Sequence, residues 1–300
     1  MSGKPGGGAL TAWEPQSSEN LTFPSDCYEF VTRIVSVQES TIIFAMMKRR
    51  ICLLVLCFAF LGLDARAQGQ SETAGKILMF DEPMILSIYL PPNFEPNQSY
   101  PSLYLLHGQS QDVTLWTRLG VRETLDELIL SERIQPIIVI MPQEENYLQD
   151  VEKSDFERRL IENLIPFVER NFPVIQARSA RAIGGISRGA FWSQLIALKN
   201  YDLFGVLGQH SLLTAYYSTS SLIRIFEDSR DLPTLKIRID IGNEDFYVEE
   251  EAVFANQLQT LKIPHTFILN EGKHDEEYWK THLRDYNDYI RGCEETSHRD

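Results

Sequence analysis

The stretch RAIGGISRGAFW, Arg181–Trp192, decides how the chain is read. A short apolar run ends at Ile186, and a run with helical spacing opens near Ala190. Between them one serine, Ser187, is framed by Gly185 and Gly189. G-x-S-x-G at a strand-to-helix turn is a nucleophile elbow. Glycine permits the close backbone approach of a tight turn, and the serine hydroxyl is held out at the carboxyl edge of a sheet. The following helix aims the positive end of its dipole at that hydroxyl. A glycine-rich turn made only for packing is the competing explanation; the strand before and the helix after weigh against it.

Working outward, PSLYLLHG (Pro101–Gly108) and IQPIIVIMP (Ile134–Pro142) are continuous apolar runs closed by Gly or Pro, as buried parallel strands are. ILSIYLP (Ile85–Pro91) alternates and reads as an antiparallel strand. Further strands are expected at Ala180–Ile186, Gly205–Gly208, Leu235–Ile241 and His265–Leu269. Helical spacing marks Val121–Glu132, Ala190–Lys199, Val248–Leu261 and Glu276–Tyr289. Another helix follows the capping box Ser154-Asp155-Phe156-Glu157, with a kink expected at Pro166. Strand and helix alternate, which implies an α/β fold: a mostly parallel sheet with helices on both faces.

The 300 residues carry a formal net charge of −14, so nucleic acid and anionic lipid are poor partners. The four cysteines, Cys27, Cys52, Cys57 and Cys293, show no CxxC spacing, and HExxH is absent; no metal is expected. Met47-Lys48-Arg49-Arg50, the apolar run Ile51–Leu63 and the small-residue exit at Ala65-Arg66-Ala67 compose a signal peptide. The apolar run is too short for a stable membrane span. The expected organisation is therefore an extension, 1–46, that is untranslated or disordered, a signal peptide, 47–67, and a single domain, 68–300. That places the mature chain outside the cytoplasm, secreted or periplasmic.

A serine hydroxyl needs a base, and the base needs an orienting acid. In this fold the order is serine, acid, histidine. His274 lies in NEGKHDEEYW, a polar loop after the last strand that emerges at the same sheet edge as Ser187. His265 begins a strand, His282 sits on a polar helix face, and His210 reads as a pocket or structural residue. Asp245, past Gly242 in KIRIDIGNEDFY, is the expected acid, with Glu244 the fallback and Asp240 a strand polar residue. The oxyanion donors expected are the backbone N–H groups of Arg188 and Gln109, the latter in the loop LLHGQS; the His107 side chain reads as structural. Trp116 and Trp192, with Phe246 and Tyr247, are candidates to line an aromatic or sugar pocket, ordinary packing being the alternative.

YLLHG, IIVIMP, FERRLIENLIPFVERNFPV, GGISRGAFW, DIGNEDF and GKHDEEYW occur in this order. Together they resemble the putative-esterase family of α/β-hydrolases, which includes esterase D, feruloyl esterases, enterochelin esterases and the antigen 85 mycolyltransferases. The resemblance spans roughly Ile77 to Ile290. It implies an α/β-hydrolase fold, a triad of Ser187, Asp245 and His274, an oxyanion segment in the HG loop, and no cofactor. Two departures stand out: Ala190 follows Gly189 where relatives often carry a second glycine, and Gln109-Ser110 follows the HG pair. The implied activity is hydrolysis of a small-molecule ester or acylated sugar through an acyl-enzyme. Acyl transfer to another acceptor and a non-catalytic binding module are the alternatives.

Overall fold

The structure, a computed structural model, describes residues 74–212, 224 and 235–286. The expected signal peptide and the extension before it lie outside these residues. Eight strands form one sheet: β1 (Lys76–Phe80), β2 (Leu86–Leu90), β3 (Ser102–Leu106), β4 (Ile138–Pro142), β5 (Arg181–Ile186), β6 (Val206–His210), β7 (Lys236–Gly242) and β8 (His265–Asn270). Their spatial order is β1-β2-β4-β3-β5-β6-β7-β8. β2 runs antiparallel to both β1 and β4, and every pairing from β4 through β8 is parallel.

Side chains alternate between the two sheet faces, and the sequence fills both with apolar groups. Tyr104 and Leu106 of β3 enter one core with Leu160, Leu164, Phe191, Leu195 and Phe254 of the helical segments. Leu103 and Leu105 enter the other with Leu115, Leu125, Leu128 and Tyr278. Helices thus cover both faces, as the strand–helix alternation implies.

Several boundaries move for physical reasons. β4 starts at Ile138 rather than Ile134 because Pro136 has no N–H to give a ladder. β1 was not anticipated; its half-exposed edge position leaves no clean alternation to read. The helix after the capping box contains a wide π-type turn, Leu160–Leu164, and resumes at Ile165–Asn171. Pro166, at the start of that second part, cannot donate and crowds the carbonyl four residues back; a wider turn accommodates both. Half of the capping box forms. Ser154 Oγ accepts from Phe156 N–H at 3.2 Å, but Glu157 reaches across to Lys199 and Asn200 instead of back. The last helix is shorter than expected, Glu276–Thr281, followed by a 3-10 turn at Leu283–Tyr286. Among the described residues no helix is long and apolar enough to cross a membrane.

Candidate active site

The helix after β5 starts at Arg188, two residues earlier than the sequence suggests, so Ser187 is its N-cap and abuts both elements. Ser187 has φ 54° and ψ −116°, a left-handed conformation that a non-glycine residue holds only under constraint. The constraint is visible in the backbone. Ser187 N–H donates to the His210 carbonyl at 2.9 Å, and its own carbonyl accepts from Phe191 N–H at 3.1 Å. Gly189 explains the second glycine of the motif: a Cβ there would lie 2.3 Å from the Leu106 carbonyl oxygen and 2.5 Å from that of His107. The elbow therefore presses directly against the end of β3 and its HG loop.

Asp245 and His274 come from the loops after β7 and β8, which Gly242 brings together. A Cβ on Gly242 would stand 2.3 Å from the Gly272 carbonyl oxygen. Backbone bonds from Asn243 N–H to the Asn270 carbonyl and from Glu244 N–H to the Gly272 carbonyl lace the two loops. His274 is then fixed by the helix behind it, whose cap Asp275 accepts from Tyr278 N–H at 2.9 Å. The result is a continuous chain. Ser187 Oγ lies 2.9 Å from His274 Nε2, and His274 Nδ1 lies 2.8 Å from Asp245 Oδ2. The other Asp245 oxygen accepts from Tyr247 N–H at 2.9 Å. Ser187 is 7% exposed and Asp245 is buried, so the carboxylate is shielded from water while the hydroxyl retains a narrow opening.

The remaining candidates separate clearly. Glu244, the fallback acid, is exposed and faces Lys273 at 3.6 Å. His210 is buried as the last residue of β6, with Nδ1 2.8 Å from Asp240 Oδ1. Tyr278 Oη–H also donates to Asp240 Oδ1, at 3.1 Å, so this pair is structural, behind the site. His265 opens β8 and bonds the Ile263 carbonyl. His282 ends the last helix beside Asp285.

The pocket assignment of Trp116 and Trp192 does not hold. Trp116 is 1% exposed in one core and Trp192 is 2% exposed in the other. Trp192 packs against Phe156 at 5.4 Å and Phe191 at 6.2 Å. Both point into sheet–helix interfaces because helical spacing on a covered face turns large apolar groups inward. Of the four aromatic candidates, Phe246 is the one open to solvent, 67% exposed, with its ring 4.6 Å from the His274 imidazole. Tyr247 and Trp279 flank the same imidazole at 5.4 and 5.3 Å.

Residues 78–289 match the model of the family described as "Putative esterase". The chain belongs to the putative-esterase family. Membership puts it among the ester hydrolases. An acetyl esterase of Caldicellulosiruptor saccharolyticus is 27% identical over 223 residues, covering 62% of this chain and 82% of that protein. An endo-1,4-beta-xylanase/feruloyl esterase of Xylanibacter ruminicola is 30% identical over 150 residues. That match takes in 46% of this chain but only 20% of the relative's length. The fold is shared with a ferulic acid esterase of known structure, with a TM-score of 0.64 and 23% identity over 73% of this chain and 96% of the other. An S-formylglutathione hydrolase from Staphylococcus aureus gives a TM-score of 0.61 at 21% identity, over 72% and 96% of the two chains.

In this putative esterase the HG loop is held by His107. Its Nδ1–H donates to the Gly108 carbonyl at 2.8 Å, and its Nε2 accepts from Glu144 N–H at 2.9 Å. Accepting at Nε2 requires the neutral ring, and burial pushes the imidazole in the same direction, below its ordinary value. Gln109, the expected second oxyanion residue, follows in this loop with its side chain exposed.

Two groups escaped the sequence reading. Glu144 follows β4 and is buried against the Arg188 guanidinium. Its only sequence signal was its place just past an apolar strand, at the edge where Ser187 emerges. Glu251 sits at an inward position of the helix Val248–Thr260, 0% exposed. Its Oε2 accepts from Leu212 N–H at 3.2 Å, and its Oε1 has no hydrogen-bond partner among the described residues. Burial, with the Asp240 and Asp245 carboxylates nearby, holds its carboxyl well above the usual carboxylate range.

Above about pH 4.3 the unfolded chain loses the Glu251 proton that the folded chain keeps, so stability falls with rising pH up to the raised folded value. The slope from this group is about 1.4 kcal/mol per pH unit within that window. Wild-type Tm should therefore drop relative to Glu251→Gln as pH rises above about 4.3. A gap that does not change with pH would show that Glu251 is already ionised in the folded chain.

Proposed function

We propose that this chain is an exported serine esterase that hydrolyses a carboxylic ester through an acyl-enzyme on Ser187. The observation that carries the reading is the hydrogen-bonded chain Ser187 Oγ–His274 Nε2 and His274 Nδ1–Asp245 Oδ2, at 2.9 and 2.8 Å, on a strained elbow. Ser187 Oγ attacks the ester carbonyl carbon while its proton passes to His274 Nε2. Asp245 accepts from Nδ1–H, keeps the imidazole in the receiving tautomer and stabilises the imidazolium. The Arg188 and Gln109 backbone N–H groups bind the oxyanion, supported by the helix N-terminus at Arg188. The tetrahedral intermediate collapses, His274 gives its proton to the departing alcohol, and the acyl group stays on Oγ. Water, deprotonated by the same imidazole, then releases the acid and restores the serine. None of these steps calls for a metal or an organic cofactor.

Substrates of this site are small-molecule esters, and the relatives named above make acetylated and hydroxycinnamoylated sugars the first to try. A fluorophosphonate probe tests the reading: it should label the folded wild type at Ser187 and no other residue. Folded protein that resists the probe and leaves a panel of acetyl, feruloyl and short-chain esters intact would put the binding-module reading in its place.

Export rests on the segment Met47–Ala67, with its basic start, apolar run and small-residue exit. N-terminal sequencing of the mature native protein should begin at or just after Gln68. A mature protein that retains Met47–Ala67 would contradict export.

A further inference from the structure

We propose that Glu144 and Arg188 form a buried lock that aligns the two oxyanion donors with each other, making Glu144 a positioning residue for the reaction. The proposal rests on the esterase reading above and extends it to a residue outside the triad. The Arg188 guanidinium meets the Glu144 carboxylate in a two-pronged bond, Nε to Oε2 at 2.8 Å and Nη2 to Oε1 at 2.5 Å. The two side chains are 1% and 4% exposed. Arg188 Nη2 also donates to the Gln149 carbonyl at 3.2 Å, and the guanidinium carbon lies 5.9 Å from the Trp192 ring centre. The arginine is therefore held on several sides, and a planar fork of this kind fixes direction as well as distance.

Each end of the lock reaches one donor. Arg188 carries the first oxyanion N–H on its own backbone, so anchoring its side chain anchors that N–H. Glu144 reaches the second through its backbone: its N–H donates to His107 Nε2, and His107 Nδ1–H holds the Gly108 carbonyl. A trans peptide is planar, with C=O and N–H pointing in opposite directions. Clamping the Gly108 carbonyl therefore aims the Gln109 N–H the other way. One continuous path, Arg188–Glu144–His107–Gly108, thus joins the peptide groups on the two sides of the oxyanion site. Preorganised donors are worth most when they need not reorient during reaction.

Such a role separates turnover from binding and from base chemistry. Glu144→Gln keeps the size and the backbone N–H but removes the charge that holds Arg188. Its kcat should fall on the order of 10- to 100-fold with KM near wild type. The fluorophosphonate labelling rate and the affinity for a trifluoromethyl ketone, which forms a tetrahedral adduct, should fall in parallel. The acid limb of the kcat/KM profile should keep its wild-type midpoint, because His274 is untouched. Arg188→Lys, which keeps charge but not the fork, should be intermediate. It decides the matter if Glu144→Gln does not fold. Wild-type kcat and ketone affinity in the folded variant would overturn the lock. A shifted acid limb would assign the loss to the triad instead and equally overturn it. A wild type that the probe does not label refutes the esterase reading first.

Discussion

Ser187→Ala should fold like the wild type and lose ester hydrolysis by about 10⁶-fold in kcat. The size of the effect follows from the role proposed for the hydroxyl. Without Oγ there is no covalent intermediate, and His274 has no proton to receive from the nucleophile. What remains is the oxyanion site and substrate binding, which together retain a small residue of rate over water. The fold should survive because the change is confined. Alanine at φ 54° is as strained as serine, so the elbow neither gains nor loses on that account. The backbone bonds from Ser187 N–H and to its carbonyl do not involve the side chain. One side-chain hydrogen bond, to His274, is lost at the mouth of the site. Steady-state kinetics on an activated acetyl ester, with thermal melting beside it, reads both halves. A folded variant retaining more than about 1% of wild-type kcat would mean that another group is the nucleophile.

Asp245→Asn carries the second largest expected loss, about 10⁴-fold in kcat, with KM little changed. An asparagine amide can present its N–H₂ to His274 Nδ1, which stabilises the tautomer protonated on Nε2. That nitrogen then has no lone pair for the Ser187 proton. Tyr247 N–H can still be accepted by the remaining amide oxygen, so the loop need not rearrange. Glu244→Gln supplies the contrast. Glu244 is one residue away but exposed and turned to Lys273, and its removal should leave kcat within about twofold. Equal losses in the two variants would point to a general effect of loop charge rather than a carboxylate acting through His274.

Much of this site was legible without coordinates. Ser187 announced itself because a strand, a glycine-framed serine and a helix are adjacent in sequence, so the whole elbow is local. The HG loop and the order of acid and histidine were legible for a similar reason: a parallel sheet puts the ends of its strands on one edge. Asp245 and His274 each stand a few residues past a strand, which is enough to make them candidates, with Glu244 left open beside Asp245. Trp116 and Trp192 were misread because nearness in sequence to a motif says nothing about which face a helix turns inward. Phe246, one residue past Asp245, is the exposed ring at the imidazole, and only the loop conformation separates it from the buried ones.

Amino-acid order alone was sufficient for the strand–helix alternation, and with it the mostly parallel sheet, the serine at the elbow and the edge at which its partners emerge. Those follow from apolar periodicity, glycine placement and chain order, all of which are local. Which carboxylates touch what emerges only once the chain is folded. Asp245 reaches His274 while Glu244 faces solvent, Glu144 crosses to Arg188, and Glu251 is sealed beneath the site near Asp240 and Asp245. Charged side chains carry no periodic signal, and their partners lie far along the chain. Their pairing is settled only when packing closes the water out and leaves each buried charge or carboxyl group with whatever neighbour the fold supplies.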